Sequence, residues 1–401
     1  MVKPTSNNTR NNKGGKEMKS KGLLVAIAIL AIAVVVYFAF FTGKGEEESD
    51  VIKIGFIGPL TGPAASYGIN ARNGALIAVE QINAAGGVLD GKKLQLIVED
   101  DKGDTTEATN VFNKLVEQDK VVAIVGPVTT GPTTVVARLA GEERIPIVSP
   151  TATGDDITKV SDFVARVCFY DSYQAPVMAV FAVEKLGYTR AAILYDNSND
   201  YSIGLANAFA LRFTELGGTI VAKEAFTEGD QDFNAQLTNI AAANPEVVYV
   251  PAYYSDDAQI LLQARQLGMT AVFMGGDGWD SDELVKAAGS AAEGSYFTTH
   301  YSSSDESEQV LEFLKTYKQK YNTEPNFAGP LGYDAAFLIA NAIDEAGSTD
   351  PVKINKAILE TEGLVGVTGE FSFDENRNPL KEVIISTVKD GKFVLVDKVR
   401  P

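Results

Sequence analysis

Val51-Ile52-Lys53-Ile54-Gly55-Phe56-Ile57-Gly58 is a short, nearly continuous apolar run that ends in glycine, and it reads as a buried strand. A helical pattern follows from Gly68 to Asn83, with apolar Ala71, Ala75, Leu76, Val79 and Ile82. Ala84-Ala85-Gly86-Gly87 ends it, because glycine tolerates the left-handed backbone of a helix C-terminus. The alternation then continues: strand Leu94 to Asp100, helix Thr105 to Gln118, strand Val121 to Val125, helix Thr133 to Glu142, strand Ile145 to Ser149. Strands alternating with helices in this way predict a parallel sheet with helices on both faces.

The same pattern starts again further along. Helices are predicted over Gln174 to Lys185, Ser202 to Leu216, Phe233 to Ala243 and Asp256 to Leu267. Strands are predicted over Arg190 to Tyr195, Thr219 to Glu224, Val247 to Val250 and Ala271 to Gly275. Two such units mean two doubly wound α/β lobes. The remainder changes character, with amphipathic helices from Ser307 to Tyr321 and Tyr333 to Ala346. A β-hairpin, Val383 to Val388 with Phe393 to Lys398, turns at Asp390-Gly391.

Working toward the N-terminus, Leu23 to Phe41 is unbroken apolar sequence. As a helix it would span roughly 28 Å, close to the hydrocarbon thickness of a bilayer. Lys3, Arg10, Lys13, Lys16, Lys19 and Lys21 precede it; Glu46, Glu47, Glu48 and Asp50 follow. Positive charge stays on the cytoplasmic side, so the body after the run is expected outside the membrane. Residues 1–22 read as a polar N-terminus, 23–41 as an uncleaved anchor or a cleaved signal helix, and 42–50 as an acidic linker. The length of the run and the lack of an A-x-A site favour the anchor.

The chain has 401 residues, 45% of them hydrophobic, and a formal charge of −18. Such an acidic surface repels phosphate backbones, so no nucleic-acid partner is expected. A single cysteine and a single histidine, Cys168 and His300, exclude an internal disulfide and a Cys/His metal site. They also make a Ser/His/Asp hydrolase improbable. Neither G-x-x-x-x-G-K-[ST] nor G-x-G-x-x-G after the first strand is present, which removes the phosphate-cradle readings. Asp196-x-Ser198-x-Asp200 lacks the glycine and glutamate of a calcium loop. No metal, cofactor or catalytic residue is expected.

In open parallel sheets, ligands bind beyond the carboxyl ends of the strands. The segments there are Gly58-Pro59-Leu60-Thr61-Gly62-Pro63, Gly126-Pro127-Val128-Thr129-Thr130-Gly131 and Ser149-Pro150-Thr151-Ala152-Thr153 in the first unit. In the second they are Asp196 to Tyr201, Tyr253-Tyr254-Ser255 and Gly275-Gly276-Asp277-Gly278-Trp279. Taken together they are rich in hydroxyls, glycine and aromatic residues.

With Tyr67-Gly68, Ile82-Asn83-Ala84-Ala85-Gly86-Gly87 and Gly204, these loops resemble the leucine/isoleucine/valine-binding proteins of ABC importers, from about Val51 to the C-terminus. The resemblance implies a type I periplasmic binding protein: two lobes joined by a three-segment hinge. Residues 51–171 and 300–375 would form the first lobe, 172–299 and 376–401 the second. The implied function is capture of an amino acid, branched-chain or similarly aliphatic, and its delivery to a membrane permease, without enzymatic conversion. The implied roles follow residue by residue. The hydroxyls of Thr130 and Thr153 would hold the ligand carboxylate, and the carbonyl of Thr151 and the carboxylate of Asp277 its ammonium. Tyr67, Tyr201 and Tyr253 would wall the cleft. The family often has Ser at Thr130 and Glu at Asp277; the shorter aspartate seats the ammonium deeper or through a water. A ligand-sensing protein, or a binder of amides or aromatic acids on the same fold, is the alternative; a Rossmann-type enzyme lacks its fingerprint.

Overall fold

The computed structural model describes residues 1–2 and 51–399. The expected N-terminal helix at 23–41 and the acidic linker at 42–50 lie outside the described residues. Among the described residues, no helix is long and apolar enough to cross a membrane.

Strand β1 (Val51–Gly58) sits inside a five-stranded parallel sheet with β2 (Lys93–Asp100), β3 (Ile124–Val125), β4 (Ile147–Ser149) and β5 (Val164–Arg166), in the order β2-β1-β3-β4-β5. The apolar run of β1 is explained by burial on both faces. Ile54 and Phe56 enter one core cluster, while Ile57 enters another with Phe112, Val136 and Ile147. Helices α1 (Ala65–Ala85), α2 (Thr105–Lys114) and α3 (Thr130–Glu143) connect the strands.

After β5 the chain passes through Cys168, Phe169 and Tyr170 into α4 (Asp171–Val180) and a second sheet. Strands β6 (Arg190–Asp196), β7 (Thr219–Phe226), β8 (Val247–Tyr249), β9 (Val272–Gly275) and β10 (Tyr296–Thr299) are parallel there. The hairpin β13 (Val383–Lys389) and β14 (Lys392–Val399) adds antiparallel beside β10. Helices α5 (Asp200–Glu215), α6 (Asn234–Ala242), α7 (Tyr254–Gln266) and α8 (Asp282–Ala288) complete this lobe. At His300 the chain returns to the first lobe, where α9 (Glu308–Tyr321), α10 (Ala328–Ala346) and α11 (Pro351–Leu359) pack. It leaves again after the small pair β11 (Leu364–Gly366) and β12 (Gly369–Phe371). The chain therefore passes between the two sheets three times.

Helices α1 and α10 meet backbone to backbone. A Cβ on Gly74 would lie 1.8 Å from the Gly329 carbonyl oxygen, and one on Gly332 2.1 Å from that of Ala71. Both helices begin earlier than their apolar periodicity predicts, at Ala65 and Ala328, because their first turns carry small residues. Pro330 falls in the first turn of α10, where its missing N–H costs nothing. Strands β5 and β10 and helices α8 and α11 escape the sequence reading. Strand β3 is shorter than predicted, while α2 and α4 end in wider turns over Leu115–Asp119 and Phe181–Lys185.

Candidate functional site

The loops beyond β3 and β4 build one wall of a cleft. Thr129 caps α3 with extended backbone but makes no side-chain cap bond. Its hydroxyl is buried and has no partner among the described residues. The Oγ1 of Thr130 accepts from the Gly154 N–H at 3.2 Å, and Thr151 Oγ1 donates to the Val128 carbonyl at 2.5 Å. The first N–H groups of a helix lack intrahelical partners, and the helix dipole makes that end positive. This wall therefore suits an anionic group, and among the described residues it holds no charged side chain.

The opposite wall is built around Asp277, which opens a single tight turn, Asp277–Trp279, directly after β9. It is 2% exposed. Its Oδ1 accepts from Gln174 Nε2 at 2.9 Å and from the Tyr201 hydroxyl at 3.0 Å; its Oδ2 lies 2.9 Å from His300 Nε2. Gly276 and Gly278 admit this arrangement, since a Cβ on either would come within 2.8 Å of the Tyr201 hydroxyl oxygen. That oxygen in turn accepts from the Gly278 N–H at 2.9 Å. Gln174 is itself fixed, its Oε1 accepting from Thr298 Oγ1 at 2.6 Å. A carboxylate has about four acceptor positions; three are filled among the described residues, and the fourth is on Oδ2. Burial pushes the His300 imidazole below its ordinary value despite the neighbouring carboxylate, so the ring is neutral.

Aromatic rings join the walls. Tyr201 stacks on Tyr253 at 5.2 Å between centroids, and Tyr67 meets Tyr253 edge-on at 5.7 Å. The Tyr67 hydroxyl donates across the cleft to the Gly278 carbonyl and accepts from the Tyr254 N–H at 3.3 Å. Ser66 and Ser281 hydroxyls meet at 3.0 Å. Both lobes line one small cavity between them, with Tyr67, Thr130, Thr151, Tyr201, Tyr253 and Asp277 around it. Thr153 does not line it. Thr153 is 1% exposed, its carbonyl accepts from the Asp171 N–H at 2.9 Å, and its hydroxyl faces the Asp171 carboxyl, which burial pushes well up.

Thr129 and Phe327 line the cavity, and Gln174 and His300 support Asp277, without having been named from sequence as site residues. Thr129 stands beside Thr130 in a loop already singled out, and His300 was conspicuous as the lone histidine. Gln174 and Phe327 carry no local signal, because each reaches the site only through the folding of distant segments. Cys168 is buried with its Sγ 3.3 Å from the Ala152 carbonyl, and burial pushes its thiol up to about 12, which makes it inert. Among the described residues, no group of three or more His, Cys, Asp or Glu could hold a metal ion.

Two hinged α/β lobes closing on a small cavity, with an acid on one wall and a helix N-terminus on the other, define a solute-binding architecture. The chain belongs to the periplasmic binding protein family, matching it over residues 51–392, and has its type I fold. It is 34% identical over 331 residues to the leucine-, isoleucine-, valine-, threonine- and alanine-binding protein of Pseudomonas aeruginosa, covering 82% of this chain and 87% of that one. Among solved structures it resembles the leucine binding protein LivK of Thermotoga maritima, with 38% identity and a TM-score of 0.84 over 87% of this chain and 99% of that one. It is similarly close to the branched-chain amino acid transporter substrate binding protein LivJ of Streptococcus pneumoniae, solved with isoleucine: 37% identity and a TM-score of 0.83, over 88% and 100% of the two chains.

Proposed function

We propose that this protein is the extracytoplasmic solute-binding component of an ABC importer. It captures an aliphatic amino acid of the branched-chain kind between its lobes and delivers it to the membrane permease. The carrying observation is the division of charge across the closed cavity: a buried carboxylate with one acceptor position open, opposite hydroxyls at a helix N-terminus. A zwitterion loses water from both charged groups when enclosed, and each then needs a close partner of opposite character. In this reading Asp277 and the Thr151 carbonyl take the ammonium, and Thr130 with the α3 N-terminus takes the carboxylate. Thr153 supports the carboxylate wall from behind, and Tyr67, Tyr201 and Tyr253 close around the side chain. The relatives' amino-acid ligands support the same choice. The basic-to-acidic flanks of the apolar run at 23–41 support placement outside the membrane, anchored or released by a signal helix.

Leucine, isoleucine and valine should raise the melting temperature in a thermal-shift panel, since a ligand bound only by the folded state stabilises it in proportion to ln(1 + [L]/Kd). The panel should include amides and aromatic acids. Stabilisation by benzoate-type acids and not by aliphatic amino acids would overturn the reading in favour of a binder of aromatic acids. Mass spectrometry should recover the ligand unchanged; a product formed at enzyme-like rates would contradict a binding role.

A further inference from the structure

The histidine beside the cleft sits in an aromatic slot. The His300 ring lies between Phe169, at 3.6 Å and 22°, and Phe327, at 5.3 Å and 17°. Its side chain is fully buried. Nothing about that slot asks for a polar ring: its two neighbours are phenylalanines, and a third would stack as well. The imidazole is a poorer choice for packing, because its Nδ1 is buried with no hydrogen-bond partner among the described residues. A buried polar atom left unsatisfied is costly, so the ring's other nitrogen must return something. What it adds is one N–H, at Nε2, directed at Asp277 Oδ2 from 2.9 Å.

We infer that His300 is a positioning residue for the solute site: through Nε2 it fixes the orientation of the Asp277 carboxylate and so aims the open position of Oδ2 at the incoming ammonium. The inference rests on the reading of Asp277 as the ammonium partner. Three further observations support it. First, Oδ1 is already saturated by Gln174 and Tyr201, so Oδ2 is the oxygen the solute must share, and His300 is the one side chain that bonds it among the described residues. Second, His300 lies on the second passage between the lobes and stacks on Phe169 of the first. It also directly follows β10, which pairs with β9, the strand that Asp277 follows, so the bond lies within one lobe and can orient the acid before a solute arrives. Preorganisation of this kind spares the binding step the ordering of the acid. Third, a neutral imidazole leaves the negative charge of Asp277 available to the ligand, where an imidazolium would cancel it. Burial favours the neutral His300 ring, and a charged Lys381 nearby acts in the same direction; burial opposes the charging of Lys381 itself, as it does that of Cys168 and Asp171 beside this cluster.

Two variants separate the donor from the ring. His300→Phe keeps the stack and removes the N–H. His300→Gln removes the ring and keeps an amide donor at similar reach. The full chain is titrated calorimetrically at neutral pH with leucine and with 4-methylpentanoic acid, which is leucine without its ammonium. The expected result for the Phe variant is a loss of leucine affinity of about ten- to hundred-fold, the range for a hydrogen bond to a charged group, with the deaminated acid changed less than about three-fold. The Gln variant is expected to regain most of the leucine affinity while melting at a lower temperature. If the Phe variant binds leucine as well as the parent, or if the Gln variant loses both ligands equally, His300 only fills space and the inference is overturned. Should the Phe variant fail to fold, the Gln variant decides alone by the same two outcomes. Failure of the underlying reading shows separately, in the unmodified chain: without leucine binding there, both fall together.

Discussion

The two walls of the cleft solve opposite problems with different materials. The first-lobe wall is neutral and unfinished: the Thr129 hydroxyl lacks a partner among the described residues, Thr130 and Thr151 are tied to neighbouring backbone, and the field comes from the end of α3. The second-lobe wall carries a full charge and is nearly complete before any solute arrives, with three donors on Asp277, from Gln174, Tyr201 and His300, and Thr298 behind Gln174. The difference follows from desolvation. Diffuse polarity from backbone N–H groups is inexpensive to enclose, whereas a buried carboxylate must be held by hydrogen bonds to stay ionised. The charged wall therefore recruits from distant segments, and the neutral wall is built from one strand-end loop and its neighbour.

Substitutions sharpen this contrast unequally. Asp277→Asn keeps size and turn-forming ability and removes the counter-charge. Breaking such a pair costs about 2–5 kcal/mol, roughly thirty- to several-thousand-fold in Kd for leucine. Calorimetry with 4-methylpentanoic acid as the comparison ligand should show a far smaller loss, which gives the coupling between Asp277 and the ammonium. Thr130→Ala acts on the other wall and should weaken both ligands alike, by about ten-fold, because both carry the carboxylate; Thr130→Ser should restore binding. Equal losses from the two walls for both ligands would break the division of labour. Tyr67→Phe removes a bond that holds the closed walls together, and should weaken every ligand by about five-fold or less.

The smallest expected effect on affinity comes from acids buried away from the ligand. Burial pushes Asp101 of the first lobe and Asp280 of the second up to about 7, from an unfolded value of about 3.9. Each binds its proton more tightly in the folded state, so its contribution is full below about pH 4 and is lost as pH rises toward about 7. His300, with a lowered value, acts oppositely but is one group against several, including Asp171 and Asp257. The melting temperature is expected to fall between pH 5 and pH 8, and Asp101→Asn should flatten part of that slope. A melting temperature that rises across this range would contradict it.

The sequence makes the two walls legible to different degrees. Six of the seven residues that the resemblance implies, all but Thr153, line the cavity; the strand-end loops that carry most of them were legible because a strand's apolar run stops and the next residues must face the cleft. The repeated alternation of strands and helices was legible for the same reason, each element carrying its own period. The support of Asp277 was not. Gln174 and Asp277 are separated by 103 positions, and His300 owes its place to the stack with Phe169 and Phe327, which no spacing encodes. Strands β5 and β10 escaped the pattern, although β4, β8 and β9 of the same length did not.

A crystal structure of the leucine complex tests the central claim most directly. The account predicts the ammonium at about 2.7–2.9 Å from Asp277 Oδ2 and the carboxylate against Thr130 and the first N–H groups of α3. A ligand seated the other way round, or an ammonium held away from Asp277 with His300 still on Oδ2, would contradict it.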